Sequence, residues 1–349
     1  MANMDVGTPR FYCDYVNYLM SRGVASSEFA VEATDVTGGA GAGKMGTFVT
    51  GSAAELFDMK PLNLVTFDTS ADNDGHVLVT FDLNTAGFNV DFVAILNHNM
   101  STADAKFRVS ATATETEIEA VNHANADHTP TLVEVVNADT ISTNICTPAT
   151  DGHTIVKFTE QAYQFWGIQF EGDGGNVFSA TDLSIGCILL GQYYDMPHSP
   201  DMTVKRSIAF DAVDVKESLG GQRYGTITNT GRKGSDYSRS PFFNYNTTSD
   251  LGVYGGRMSY DLAFSYLNST DVMPNQYDNP QGSDDAVIED VWNKTNGRHI
   301  PFIFSIDKSR EGNDAESEHM FARFGQDSLD MGQVAHKLWN IQMKIDEEF

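Results

Sequence analysis

Hydrophobic and polar residues alternate most cleanly near the start of the last third of the chain. Met258, Tyr260, Leu262, Phe264 and Tyr266 fall on one side of a period-two pattern, and Ser259, Asp261, Ala263 and Ser265 fall on the other. That is the pattern of a strand with one buried face. A polar loop follows, with Pro274, Asn275, Asn279, Pro280 and Gly282. Ser283 is then placed to cap a helix whose first turn carries Asp284 and Asp285, where the helix dipole favours negative charge. Val287 with Val291, and Ile288 with Trp292, give that helix an i,i+4 apolar face, and Asn296 and Gly297 end it. His299 to Ile306 reads as a buried strand.

Residues 62–194 read as a succession of short strands. Val77, Val79, Phe81 and Leu83 alternate with Leu78, Thr80 and Asp82. Residues 92–96, Phe-Val-Ala-Ile-Leu, are apolar on both faces and predict a central strand. Further strands are expected at 107–113, 117–121, 131–136, 154–158, 165–170 and 185–190. Short strands separated by Gly, Asn and Asp turns, with no helical pattern between them, predict a mainly β protein built as a sandwich or barrel. Residues 9–23 are aromatic-rich, a strand or short helix ending at Gly23 that docks on the body or on a neighbouring subunit. The last strand has Trp339, Ile341, Met343 and Ile345 on its buried face. Pro197 and Pro200 mark a boundary near residue 200.

Composition narrows the partners. The chain has 349 residues, 41% of them hydrophobic, enough for two ordinary cores. Its net charge of -26 argues against nucleic acid or an anionic membrane as a partner. No signal peptide is expected from the first residues, and no apolar run reaches membrane-spanning length. Against this acidic background Arg206, Arg223, Arg232, Lys233 and Arg239 cluster in one stretch, read as two strands, over 203–215 and 220–227, and a long basic hairpin tip at 230–235. Arg223, Arg232, Lys233 and Arg239 are candidates for contact with an acidic face of a neighbouring subunit, with a solvated loop as the alternative.

Several motifs suggest chemistry and then fail. Residues 38–44, Gly-Gly-Ala-Gly-Ala-Gly-Lys, approach a phosphate-binding loop, but Met45 stands where a hydroxyl must hold magnesium, and β-like residues follow. Asp72, Asp74 and Gly75 imitate part of a calcium loop whose twelfth position would be Phe81. Cys13, Cys146 and Cys187 have no zinc spacing and are read as buried hydrophobes. The nine histidines form no metal-ligand pair. No catalytic constellation, metal site or cofactor site is expected. Asn97, His98 and Asn99, where the central strand ends, are candidates for a ligand-facing loop, with satisfaction of backbone groups as the alternative.

Two resemblances sharpen this. The strand 92–96 running into Asn97-His98-Asn99, the segment Phe165-Trp166-Gly167-Ile168-Gln169-Phe170 and the segment 183–191 together resemble the galactose-binding-like, discoidin-type jelly roll of phage tail proteins. Gly255-Gly256-Arg257 through Leu267, followed by a helix and then Pro301-Phe302-Ile303-Phe304, is similar to the tail-tube-like fold of phage tube, distal-tail and minor tail proteins. The insert between Leu267 and Ser283, and Tyr260 in place of the usual Trp, depart from that pattern. The resemblances imply an arm and glycine-rich loop over 1–50, a jelly-roll β-sandwich over 51–198, and a tail-tube-like β-sandwich with one helix over 199–349. They imply a structural component of the virion, made in the host cytoplasm, that assembles into a ring in the tail, tail tip or baseplate with other tail proteins. An acidic lumen would then keep DNA from sticking. Glycan binding by the jelly roll, with Tyr163, Phe165, Tyr193 and Tyr194 available for stacking, is the alternative. A glycan-degrading tail enzyme is the third reading.

Overall fold

The computed structural model describes residues 6–24, 28–32, 48–70, 76–84, 86–115, 127–172, 178–209, 213–227, 257–274, 286–312, 315 and 318–348. The protein is mainly β, and every strand pairing among those residues is antiparallel. The glycine-rich loop, the turn 71–75, the expected strand 117–121, Ser283 with its two aspartates, and Arg232, Lys233 and Arg239 lie outside the described residues.

An 11-stranded sheet runs through the whole molecule. Its middle strand is Arg10–Asp14, paired on one side with Cys187–Asp195 and on the other with Phe302–Ser305. Beyond Cys187–Asp195 lie Val90–His98, Gly152–Gln161 and Val133–Val136. Beyond Phe302–Ser305 lie His319–Phe324, Leu338–Glu347, Arg257–Asn268 and Lys205–Ala209. Residues 10–14 are therefore an interior strand and not an arm. The chain then turns into helix Tyr15–Ser21, capped by the Asp14 carboxylate on the Asn17 N–H at 2.8 Å.

Alternation along the middle strand feeds two cores. Phe11 and Cys13 point into one that contains Met258, Tyr260, Leu262, Phe264, Phe302, Phe304 and Ile345. Tyr12 points the other way, into a core shared with Phe92, Ile188, Ile303 and Phe321. The first face is tied by ring contacts of Phe11 with Phe304 and Phe302 at 5.3 and 5.6 Å between centroids. On the second face a six-stranded sheet, ordered Phe29–Glu32, His76–Asp82, Phe165–Gly172, Ala105–Thr112, Ile145–Thr147 and Thr140–Ser142, closes a β-sandwich. The strand predicted as central, now Val90–His98, is flanked on both sides and buried almost throughout.

Three local expectations need correction. Tyr266 is 68% exposed instead of sharing the buried face. A bulge between Phe264 and Leu267, with Tyr266 at φ 64°, slips the alternation by one residue, and Leu267 takes the buried position. The expected α-helix is a π-helix over Val287–Asn293, whose first five residues are all buried, Glu289 and Asp290 included. Its C-terminal side keeps the wide winding, with Gly297 N–H bonded to the Trp292 carbonyl at 2.8 Å. The expected strand 185–190 divides in two at Gly186, where the backbone passes so close to the Pro61 carbonyl oxygen that a Cβ would overlap it.

Candidate assembly interface

Residues 213–227 form a hairpin, Val213–Glu217 with Arg223–Ile227, that pairs with no other sheet among the described residues. Ser218, Gly220 and Gly221 make the turn: Gly221, at φ 79°, donates its N–H to the Ser218 carbonyl at 2.8 Å, and the Gln222 N–H reaches the Ser218 hydroxyl at 3.1 Å. Val215 and Tyr224 are 58% and 55% exposed, and Leu219 at the turn is fully exposed. One charge pair crosses the ribbon, Arg223 Nε donating to Glu217 Oε2 at 3.1 Å, and a second lies along one strand, with Lys216 Nζ 3.1 Å from Asp214. Both pairs are solvated and add little. Of the four expected interface cations, Arg223 is thus an exposed hairpin residue paired within its own ribbon.

Two further edges lie in the same half. Lys205–Ala209 ends the large sheet with Ile208 half exposed. Met331–Ala335 is exposed along its length and carries Met331 and Val334.

The Asn97-His98-Asn99 triplet ties loops together. Asn97, at φ 53°, donates to the Pro61 carbonyl at 2.7 Å. Asn99 donates to the Asp182 carbonyl at 2.8 Å and accepts from the Ser184 N–H at 2.7 Å. His98 is buried; its Nδ1 accepts the Met100 N–H at 3.2 Å, so Nε2 carries the proton toward Thr154 Oγ1 at 2.9 Å. Burial pushes its pKa down to about 3. His98 therefore has no polar ring atom left for a ligand. Among the proposed stacking residues, Tyr194 is buried, Tyr163 stacks on His128 at 5.5 Å, and Tyr193 carries the Arg10 guanidinium 4.1 Å above its ring.

The polar groups that sequence reasoning missed sit at the junction of the two cores. Lys294, at the end of the π-helix, donates to Asp290 Oδ1 at 2.8 Å, Gln192 Oε1 at 2.9 Å and Tyr15 OH at 3.1 Å. Burial works to strip the Lys294 proton, but Tyr15 and Asp290 outweigh it and hold the ammonium above its ordinary pKa. Nearby, Asp91 accepts the Tyr193 N–H at 2.8 Å, and burial lifts its pKa well above the carboxylate range. Asp14 is likewise lifted by burial, to about 6, against the pull of the Asn17 hydrogen bonds. Arg10 forms a second tie. It grips Asp195 with Nε and Nη2 at 2.6 and 3.1 Å and reaches Glu311 at 3.3 Å; Lys157 also pairs with Glu311. One signal was available: an i,i+4 Asp290/Lys294 pair inside an apolar helix. The partners Tyr15 and Gln192 lie too far away in sequence to be inferred.

A cavity of about 790 Å³ opens where the strands of the second half end. Its charges are already matched: Arg298 with Asp327 at 2.7 Å, Arg323 with Glu348 at 3.4 Å, and Lys344 with Asp346 at 3.5 Å. No group of three His, Cys, Asp or Glu side chains among the described residues is arranged to hold a metal. The thiols are buried, and burial raises Cys13 to about 12, so it stays protonated.

No family model matches the chain. No curated protein matches it. Among solved structures, a truncated AlyQ with CBM32 and alginate lyase domains aligns over 64% of this chain at 13% identity and a TM-score of 0.25. The chain spans 47% of that protein's length. At that TM-score the similarity carries no argument about fold or activity.

Proposed function

We propose that the protein is a structural component of a phage virion, in the tail, tail tip or baseplate, and that its second half assembles it into a ring. The observation that carries the assembly part is the hairpin 213–227, whose residues 214–225 are all exposed. A two-stranded ribbon without a third strand or a covering layer is marginally stable in water. One that presents Val215, Leu219 and Tyr224 to solvent gains most from a neighbour that covers them. The open strands Lys205–Ala209 and Met331–Ala335 offer further edges in the same half, and a head-to-tail contact repeated by rotation closes a ring. The phage assignment rests on the residue patterns around Gly255-Gly256-Arg257 and Pro301–Phe304. The test is the mass and negative-stain image of the purified chain at two concentrations. Closed rings or stacked rings are expected, and deletion of residues 214–226 should abolish them while leaving the circular dichroism of a folded β protein. A chain that stays monomeric at high concentration, alone and with the other tail proteins present, would overturn the proposal.

A further inference from the structure

The strand Lys205–Ala209 closes one side of the large sheet, and among the described residues it pairs only with Arg257–Asn268. Its outer backbone edge has no partner strand there. Arg206 lies opposite Tyr260 and Ile208 opposite Met258. Tyr260 and Met258 are buried in the second core, so Arg206 and Ile208 stand on the core-facing side of the sheet at its open rim. Ile208 is 50% exposed there. Beside Arg206 lies a groove of about 530 Å³ with Met202, Val204, Tyr260 and Ile306 in its walls.

Among the described residues Arg206 has no anionic partner. Its guanidinium carbon is 5.6 Å from the centroid of the Tyr260 ring, and Nη2 lies 3.0 Å from the Met258 sulfur, a weak acceptor. Nε is buried and has no acceptor. Asp201, in the groove wall, is already engaged by the N–H and hydroxyl of Ser265 at 3.3 and 2.7 Å. Glu318, also in the wall, is buried and has an interaction of its own. A half-buried guanidinium that meets only a sulfur and a ring face among the described residues is an incomplete ion-pair site. In a chain of net charge -26 that is the reverse of the general surface.

We propose that Lys205–Ala209 is a docking edge for an extended segment of a partner protein, which adds as a strand and sets a carboxylate side chain on Arg206 and an aliphatic side chain on Ile208. The two-residue spacing of Arg206 and Ile208 on one face fixes the spacing required of the partner, acid-x-aliphatic or its reverse. The open backbone supplies affinity, and the bidentate guanidinium–carboxylate pair supplies specificity. The inference goes beyond the virion reading, since any partner offering such a strand would meet the same surface.

The test uses the full chain and a fluorescein-labelled, acetylated and amidated heptapeptide, Thr-Thr-Val-Thr-Glu-Thr-Thr, read by anisotropy. Saturable binding is expected. Changing the peptide Glu to Gln should weaken it about tenfold or more, the range expected for losing a charge-assisted hydrogen bond. Methylating the peptide backbone nitrogens should abolish it. In Arg206→Gln the Glu and Gln peptides should bind alike. The Glu-to-Gln comparison on the unaltered protein needs no variant to fold. Equal binding of the Glu and Gln peptides there, or no binding at millimolar peptide, would overturn the proposal, as would undiminished binding of the methylated peptide.

Discussion

Replacing Lys294 by Met tests whether the buried polar cluster holds the two halves together. Lys294 and Asp290 side chains are 3% and 6% exposed, and the ammonium touches groups on two other elements, Tyr15 and Gln192. Removing it leaves the Asp290 carboxylate in the interior with one remaining bond, from the Ala286 N–H at 3.0 Å. Breaking a buried pair from one side costs about 3–5 kcal/mol, mostly for the stranded charge. Neutralising Asp290 as well, in Lys294→Met with Asp290→Asn, removes the stranded charge and should recover about half of that loss. Urea unfolding followed by tryptophan fluorescence measures this and locates it, since Trp166 lies in the first core while Trp292 and Trp339 pack against the second. Both signals should shift together. A single variant within about 1 kcal/mol of the parent at pH 7, or a double variant no better than the single, would refute the reasoning.

Other outcomes follow from the same geometry. Gly191→Ala should destabilise by about 3 kcal/mol or more, because its Cβ would overlap the Cys13 carbonyl oxygen in the pairing of the middle strand, whereas Gly225→Ala, with open space around it, should stay within about 0.5 kcal/mol by the same urea assay. Burial depresses His98 to about 3 and His319 to about 4, so the stability they contribute is complete above their unfolded value of 6.5 and is lost as pH falls below it. Asp14, raised to about 6, acts oppositely: its contribution is complete below 3.8 and lost as pH rises through 6. From pH 7 to 4.5 the net loss from these three groups is roughly 3 kcal/mol; His98→Gln should flatten that slope, and an unchanged slope would refute the histidine assignment. Val215→Asp and Tyr224→Asp, on the exposed hairpin, should leave the unfolding midpoint nearly unchanged and abolish ring formation in negative stain.

What the sequence made legible was local. The alternation of residues 258–264 and the doubly apolar run 92–96 report burial on each face of a strand directly, whereas at 76–82 the strand forms but Leu78 and Thr80 on its other face are buried as well. Tyr266 escaped because a bulge inserts a residue without a sequence mark, and alternation beyond it then reads with the wrong phase. The π-helix escaped because the pairs Val287/Val291 and Ile288/Trp292 fit an α-helix equally well. Enclosure on all sides shows only in the buried Glu289 and Asp290. Of 48 acidic residues, composition cannot say which are buried, so Asp14, Asp91 and Asp290 emerged only from tertiary packing. β-like residues on either side of residue 220 were legible, but the sequence put the hairpin tip at 230–235, outside the described residues, and gave no sign that the chain turns at 218–222.

The middle strand explains why the chain behaves as more than two sandwiches in series. Phe11 and Cys13 belong to one core and Tyr12 to the other, so a one-residue slip would drive Tyr12 into the phenylalanine cluster and expel Phe11 from it. Both cores therefore fix one register, and Arg10 locks it at the strand's start through Asp195 and Glu311. The consequence for a fragment is definite. Residues 1–200 alone would keep Cys187–Asp195 as a partner for the middle strand but lose Phe302–Ser305, leaving Phe11 and Cys13 on a bare face and the edge of residues 10–14 unpaired. Such a fragment should aggregate or unfold at lower urea than the intact chain. A monomeric fragment with the same midpoint would show that the second half contributes nothing to the first, against the register argument.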